Sequence, residues 1–142
     1  LRQYISPMES RRMCRLTKAA FLTSKRALET AGISNPDAII IATIHGMLEN
    51  GKKILDSLNE QGEKCISPTL FMQSTHNTLA GALAIHLGCH GYNITYSQGQ
   101  ESLEWGIRDA QRLIQEGKAE SVLVGLHDDM PLYSKSIIVK KV

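Results

Sequence analysis

Paired cysteines are missing from this chain. The three present, Cys14, Cys65 and Cys89, are odd in number and lack the close spacing of metal or redox pairs. A reducing, cytoplasmic setting therefore fits better than a disulfide framework. Long apolar runs are missing too. No stretch approaches the roughly 18 residues of a membrane span, and the opening Leu-Arg-Gln-Tyr has neither a basic region with an apolar run nor a cleavage site, so no membrane anchor is expected and targeting is expected to be absent or already removed. Charge of one sign is not in excess: the formal net charge is +2. That is too little to attract nucleic acid or an anionic membrane, and the one basic cluster, Arg11, Arg12 and Arg15, reads as solvated surface. The Gly46 to Gly51 stretch lacks the Gly-Lys-Ser/Thr ending of a phosphate loop, and no Gly-x-Ser-x-Gly elbow surrounds Ser97 or Ser102.

What is there describes one globular domain. The chain has 142 residues, 42% of them apolar and 21% charged, enough for a real core and short for two domains. Thr17 to Ala31 places Ala20, Phe21, Ala27 and Leu28 at helical spacing and stops at Gly32. The β-branched run Ala38 to Thr43 predicts a parallel strand buried on both faces. His45 to Leu58 predicts a weaker helix, and Gln61 to Lys64 a loop. A further helix is expected from about Thr75 to Leu87, apolar nearly all round and buried on most sides. Tyr92 to Ser97 alternates like a strand, and Gln98-Gly99-Gln100 turns into a helix over 101–116 with Leu103, Ile107, Ala110, Leu113 and Ile114 on one face. Ser121 to Gly125 predicts another buried strand, and Ile137 to Val142 a last one. This order points to a layered α/β domain with a mixed, mostly parallel sheet and helices on both faces.

His86, Cys89 and His90 are separated by Gly88 and flanked by Gly91, which end the helix, so they do not share a face and no metal or other cofactor is expected. His127-Asp128-Asp129 reads as a solvated acidic turn after a strand. His76 reads as a hydrogen-bonding residue at a helix start.

Four stretches, in order, resemble the N-terminal half of β-ketoacyl synthases, of thiolase-like fold. They are Ser6 to Met13; Ser67-Pro68 with Ser74-Thr75-His76-Asn77 and the small-residue helix; Gly91-Tyr92-Asn93-Ile94-Thr95; and Glu116-Gly117-Lys118-Ala119-Glu120 through Gly125. Counting forward from Gly91 and back from Gly117 puts the family's nucleophile position on Gln100, where an amide replaces the cysteine. The resemblance implies substrate contacts at Gly99, Gln100 and Ser102, and an interface made by Ser74, His76, Asn77, Leu79 and Leu83. It implies acyl carrier protein as a partner, in a homodimer or in a heterodimer with an active ketosynthase. An amide cannot form an acyl-enzyme. The expectation is therefore a non-condensing, chain-length-factor-like subunit or pseudoenzyme of fatty acid or polyketide biosynthesis. The alternative is a malonyl-carrier decarboxylase or one half of a split 3-oxoacyl-carrier synthase. The family's two histidines belong to its second half, so the 1–142 unit is expected to need a partner that covers the apolar face of the 101–116 helix.

Overall fold

The structure, a computed structural model, describes residues 2–142 without the side chain of Cys65. Leu1 and the Cys65 thiol, which entered the reading of the N-terminus and of the cysteines, lie outside the described residues. Helix α1 (Pro7–Arg11) is started by a capping box: Ser6 Oγ accepts from Glu9 N at 3.2 Å, and Glu9 Oε2 accepts from Ser6 N at 3.2 Å. Helix α2 (Arg15–Ala31) ends at Gly32 and buries Leu16, Ala20, Phe21, Ser24 and Leu28 along one stripe.

Strand β1 (Ala38–Ala42) is buried at every residue. It lies parallel to β2 (Asn93–Tyr96) on one side and to β3 (Ser121–Asp129) on the other. Strand β4 (Leu132–Lys140) pairs antiparallel with β3, giving the order β2-β1-β3-β4. Because side chains alternate across a strand, β1 feeds two cores. Ile39 and Ile41, with Leu123, meet α2 and helix α5 (Thr78–Leu87) on one face. Ala38 and Ile40, with Val122 and Val124, meet helix α6 (Ser102–Gln115) on the other. α6 lies so close to the sheet that a Cβ on Gly106 would stand 3.2 Å from Ile40 Cγ2.

The expected α/β architecture is observed, and several local expectations need correction. Helix α3 spans Leu48–Gln61, and a 3-10 turn at Glu63–Cys65 stands where a loop was expected. Pro68–Met72 forms a short helix, α4, capped by Ser67, and α5 starts at Thr78. α5 is not buried on most sides: Leu79, Ala80, Leu83 and Leu87 face the core, while Ile85 is 81% exposed. The stripe turned outward is Thr78, Gly81, Ala82 and Ile85, spaced three and four apart.

The apolar face of α6 is not left open. Ala110 and Leu113 are buried against the chain's own sheet, with Leu103, Ile107 and Ile114 packed beside them. The surface that α6 turns away is polar, with ion pairs Glu104–Arg108 and Arg112–Glu116 around a half-exposed Trp105. The sheet itself satisfies this helix. The requirement for a covering half, expected from sequence, falls.

Candidate functional site

The C-terminal ends of β1, β2 and β3 lie side by side. The connection after β1 runs through α3, α4 and α5 to one face of the sheet, and the connection after β2 runs through α6 to the other. The crevice where such connections diverge is the customary ligand position in open parallel sheets.

Gln100 stands at this crevice. It is exposed, in a 3-10 turn (Gly99–Glu101) that joins β2 to α6, and Gly99 takes the left-handed conformation the corner needs, φ +61°. Ser102, expected to contact substrate, is instead fully buried. Its Oγ accepts from Gln98 N at 2.7 Å and lies 3.0 Å from the Thr43 carbonyl and 2.7 Å from that of Gly99. It staples the turn to the end of β1. Its burial keeps it out of reach of a ligand.

The loop after β1 is tied to β3. Asp128 is buried, and its carboxylate accepts from Thr43 Oγ1 at 2.8 Å, His45 N at 2.8 Å and Ile44 N at 3.1 Å. Thr43 Oγ1 in turn accepts from Gly46 N at 2.8 Å. Asp129 Oδ2 accepts from Glu49 N in the first turn of α3, and its carbonyl accepts from Arg15 Nη2 at 3.0 Å. His127 is wholly buried, with Nδ1 2.8 Å from Ser134 Oγ, and burial lowers its pKa to about 4. The His127-Asp128-Asp129 triplet is thus the inner end of β3, correcting the solvated turn expected from sequence. Its carboxylates position backbone.

The 74–77 segment meets the same loop through His76, whose ring lies on Gly46: a Cβ at Gly46 would overlap it. His76 and Asn77 are exposed, and Ser74 Oγ donates to the Phe71 carbonyl at 2.6 Å. Leu79 and Leu83, expected at an interface, are 2% and 1% exposed within the chain's own core and cannot reach a partner.

Asp109, in the middle of α6, was not singled out from sequence. It accepts from Tyr92 Oη at 2.8 Å, Tyr96 Oη at 3.0 Å, and Arg112 Nη2 and Nε at 2.7 and 3.0 Å. Burial pushes its carboxyl up, but those donors outweigh it and hold it below the usual range. Burial, and then the Asp109 carboxylate, push the Tyr96 phenol up to about 12. The cluster clamps β2 against α6 and so fixes the corner that carries Gln100. The sequence signal was an Asp in the middle of an amphipathic helix, preceded by two Tyr four residues apart on the same side of the β2 segment. Tyr96→Phe, which leaves three donors on Asp109, is expected to lower stability by about 1 kcal/mol in urea melts.

Chemically, the crevice offers an exposed amide at the start of a helix, with no thiol in its turn. Cys14 starts α2 and Cys89 follows α5.

Residues 2–136 match the family described as "Beta-ketoacyl synthase, N-terminal domain". The chain is 27% identical over 129 residues to a 3-oxoacyl-[acyl-carrier-protein] synthase 2 of Vibrio cholerae, and 29% identical over 129 residues to one of Synechocystis sp.. Both alignments cover 87% of this chain and 31% of the relative, so the chain spans about a third of these curated proteins. Among solved structures it resembles a chain of the ketosynthase in complex with its chain length factor from Xenorhabdus doucetiae. That match has a TM-score of 0.80 at 25% identity and covers 97% of this chain and 62% of that one. The ishigamide ketosynthase/chain length factor follows with a TM-score of 0.75 at 25% identity, over 89% of this chain and 37% of that one.

Proposed function

The chain belongs to the β-ketoacyl synthase N-terminal domain family, and on that premise we propose that it is a non-condensing, chain-length-factor-like subunit acting beside an active ketosynthase and an acyl carrier protein. The observation that carries this reading is Gln100 at the apex of the strand-turn-helix corner, held there by Ser102 below and the Asp109 clamp behind. In the proposed alignment this is the place of the family's cysteine. A helix start favours thiolate, but an amide has no proton to lose and no lone pair fit for acyl transfer. The chain keeps the corner and lacks its nucleophile.

The two ketosynthase/chain length factor structures among its neighbours support a partner of that kind. We assign that partner to the surface made by the outward stripe of α5, the exposed His76 and Asn77, and the free edge of β2. Gly99 and Gln100 would face the acyl chain. Residues 1–142 act here as one N-terminal-type unit.

The test is to incubate the chain with acyl-carrier thioester and read its intact mass. The native chain is expected to gain no acyl group at the Gln100 peptide. Gln100→Cys is expected to acquire a thiol at that corner that forms a thioester or is alkylated in preference to Cys14 and Cys89. Acylation of the native chain at this turn would overturn the proposal. Carbon dioxide released from malonyl-carrier protein by the native chain, and lost in Gln100→Ala, would replace it with the decarboxylase reading, in which the amide stabilises the enolate.

A further inference from the structure

Two of the five methionines share one cavity. Met13 and Met47 line a cavity of about 320 Å³ where the starts of α2 and α3 meet the outer side of α5. Methionine is unbranched and polarisable, and it adapts to flexible apolar ligands better than a branched side chain does. The volume lies within the range of small-molecule sites.

The walls carry hydrogen-bond donors that the chain leaves unused. Among the described residues, the Arg12 guanidinium, the Thr78 hydroxyl and the His86 ring nitrogens make no hydrogen bond within the chain. The one carboxylate on the wall, Glu9, is turned back onto Ser6 by its capping box, whose bonds hold it below the usual carboxylate range, and it does not pair with Arg12. Ala82 forms part of the floor.

We propose that this cavity binds a medium-chain carboxylate, with the chain on Met13, Met47 and Ala82 and the head group on Arg12. The site is separate from the Gln100 corner, though Thr78 and Ala82 also belong to the α5 stripe assigned above to the partner. Its test uses neither carrier protein nor partner, so its failure and that of the Gln100 reading are distinguishable.

Calorimetric titration of the intact chain with octanoate is expected to give saturable one-site binding. Arg12→Gln is expected to weaken it about ten-fold, the scale of a charge-assisted bond. Ala82→Trp, which fills the floor, is expected to abolish it. Cys14 also lies on the wall and gives a local readout: octanoate should slow its alkylation by iodoacetamide in the native chain and not in Ala82→Trp. Octan-1-ol binding as tightly as octanoate would overturn the proposal, as would absence of saturable binding or Cys14 labelling indifferent to octanoate. Should Ala82→Trp fail to fold by circular dichroism, Arg12→Gln, at an exposed position, carries the test alone.

Discussion

Asp128→Ala is expected to destabilise the fold by about 3–4 kcal/mol, because it strips the acceptor from three donors at once. The Thr43 hydroxyl and the Ile44 and His45 amides all point at this carboxylate, and the residue is only 6% exposed. Asp129→Ala supplies the internal comparison. Its carboxylate takes a single amide hydrogen, from Glu49, and its other oxygen is buried without a partner. Losing it should cost about 1 kcal/mol, one hydrogen bond. Urea melts at neutral pH measure both. Equal costs for the two substitutions would show that the Asp128 cradle contributes nothing beyond ordinary packing.

Acid should weaken the fold through His127. A histidine held neutral by burial has its pKa near 4 in the folded state and about 6.5 in the unfolded one. Between those values the unfolded chain binds the proton and the folded chain does not. Stability is therefore fully present above pH 6.5 and is lost as the pH falls toward 4, by about 3 kcal/mol in total. His127→Asn keeps a polar partner for Ser134 and cannot titrate. Melts at pH 7, 5.5 and 4.5 should show the native chain falling faster than the variant over this window, with the other titrating groups common to both. Parallel profiles would remove His127 as the acid-sensitive group.

The layered fold was legible because its strongest determinants are local. The run Ala38 to Ala42 is apolar at every position, and a strand with cores on both faces needs that. The phase of α6 was legible for the same reason, with Ala110 and Leu113 inward as its spacing required. α5 gave no such signal. Apolar almost all round, it could be turned without changing its pattern, so nothing in it tests the interface that the resemblance implies for Leu79 and Leu83, which the sheet holds inward. Long-range pairing hid the rest. Asp128 meets Thr43 only because β1 and β3 lie side by side, 85 residues apart in the chain. A hydrophilic triplet at a strand end looks like a loop until its partners are in place. The corner at Gln100 was visible from its glycine and the strand and helix around it, but the burial of Ser102 two residues later was not. A serine looks the same whether its hydroxyl meets water or a carbonyl.

The sheet's two ends differ in a way that bears on the size of any assembly. Strand β4 carries Lys135 and Lys140 and is followed by Lys141, whereas Tyr92 through Gln100, around β2, contains no charged residue. A sheet receptive at both ends can recruit copies without limit and grow into a filament. Here the β4 edge carries charge that disfavours a like strand and the β2 edge carries none. A partner added at the β2 edge, as proposed above, would therefore leave only the lysine-bearing β4 edge of this sheet, and a neutral residue at Lys135 or Lys140 would remove the charge that discourages further addition there.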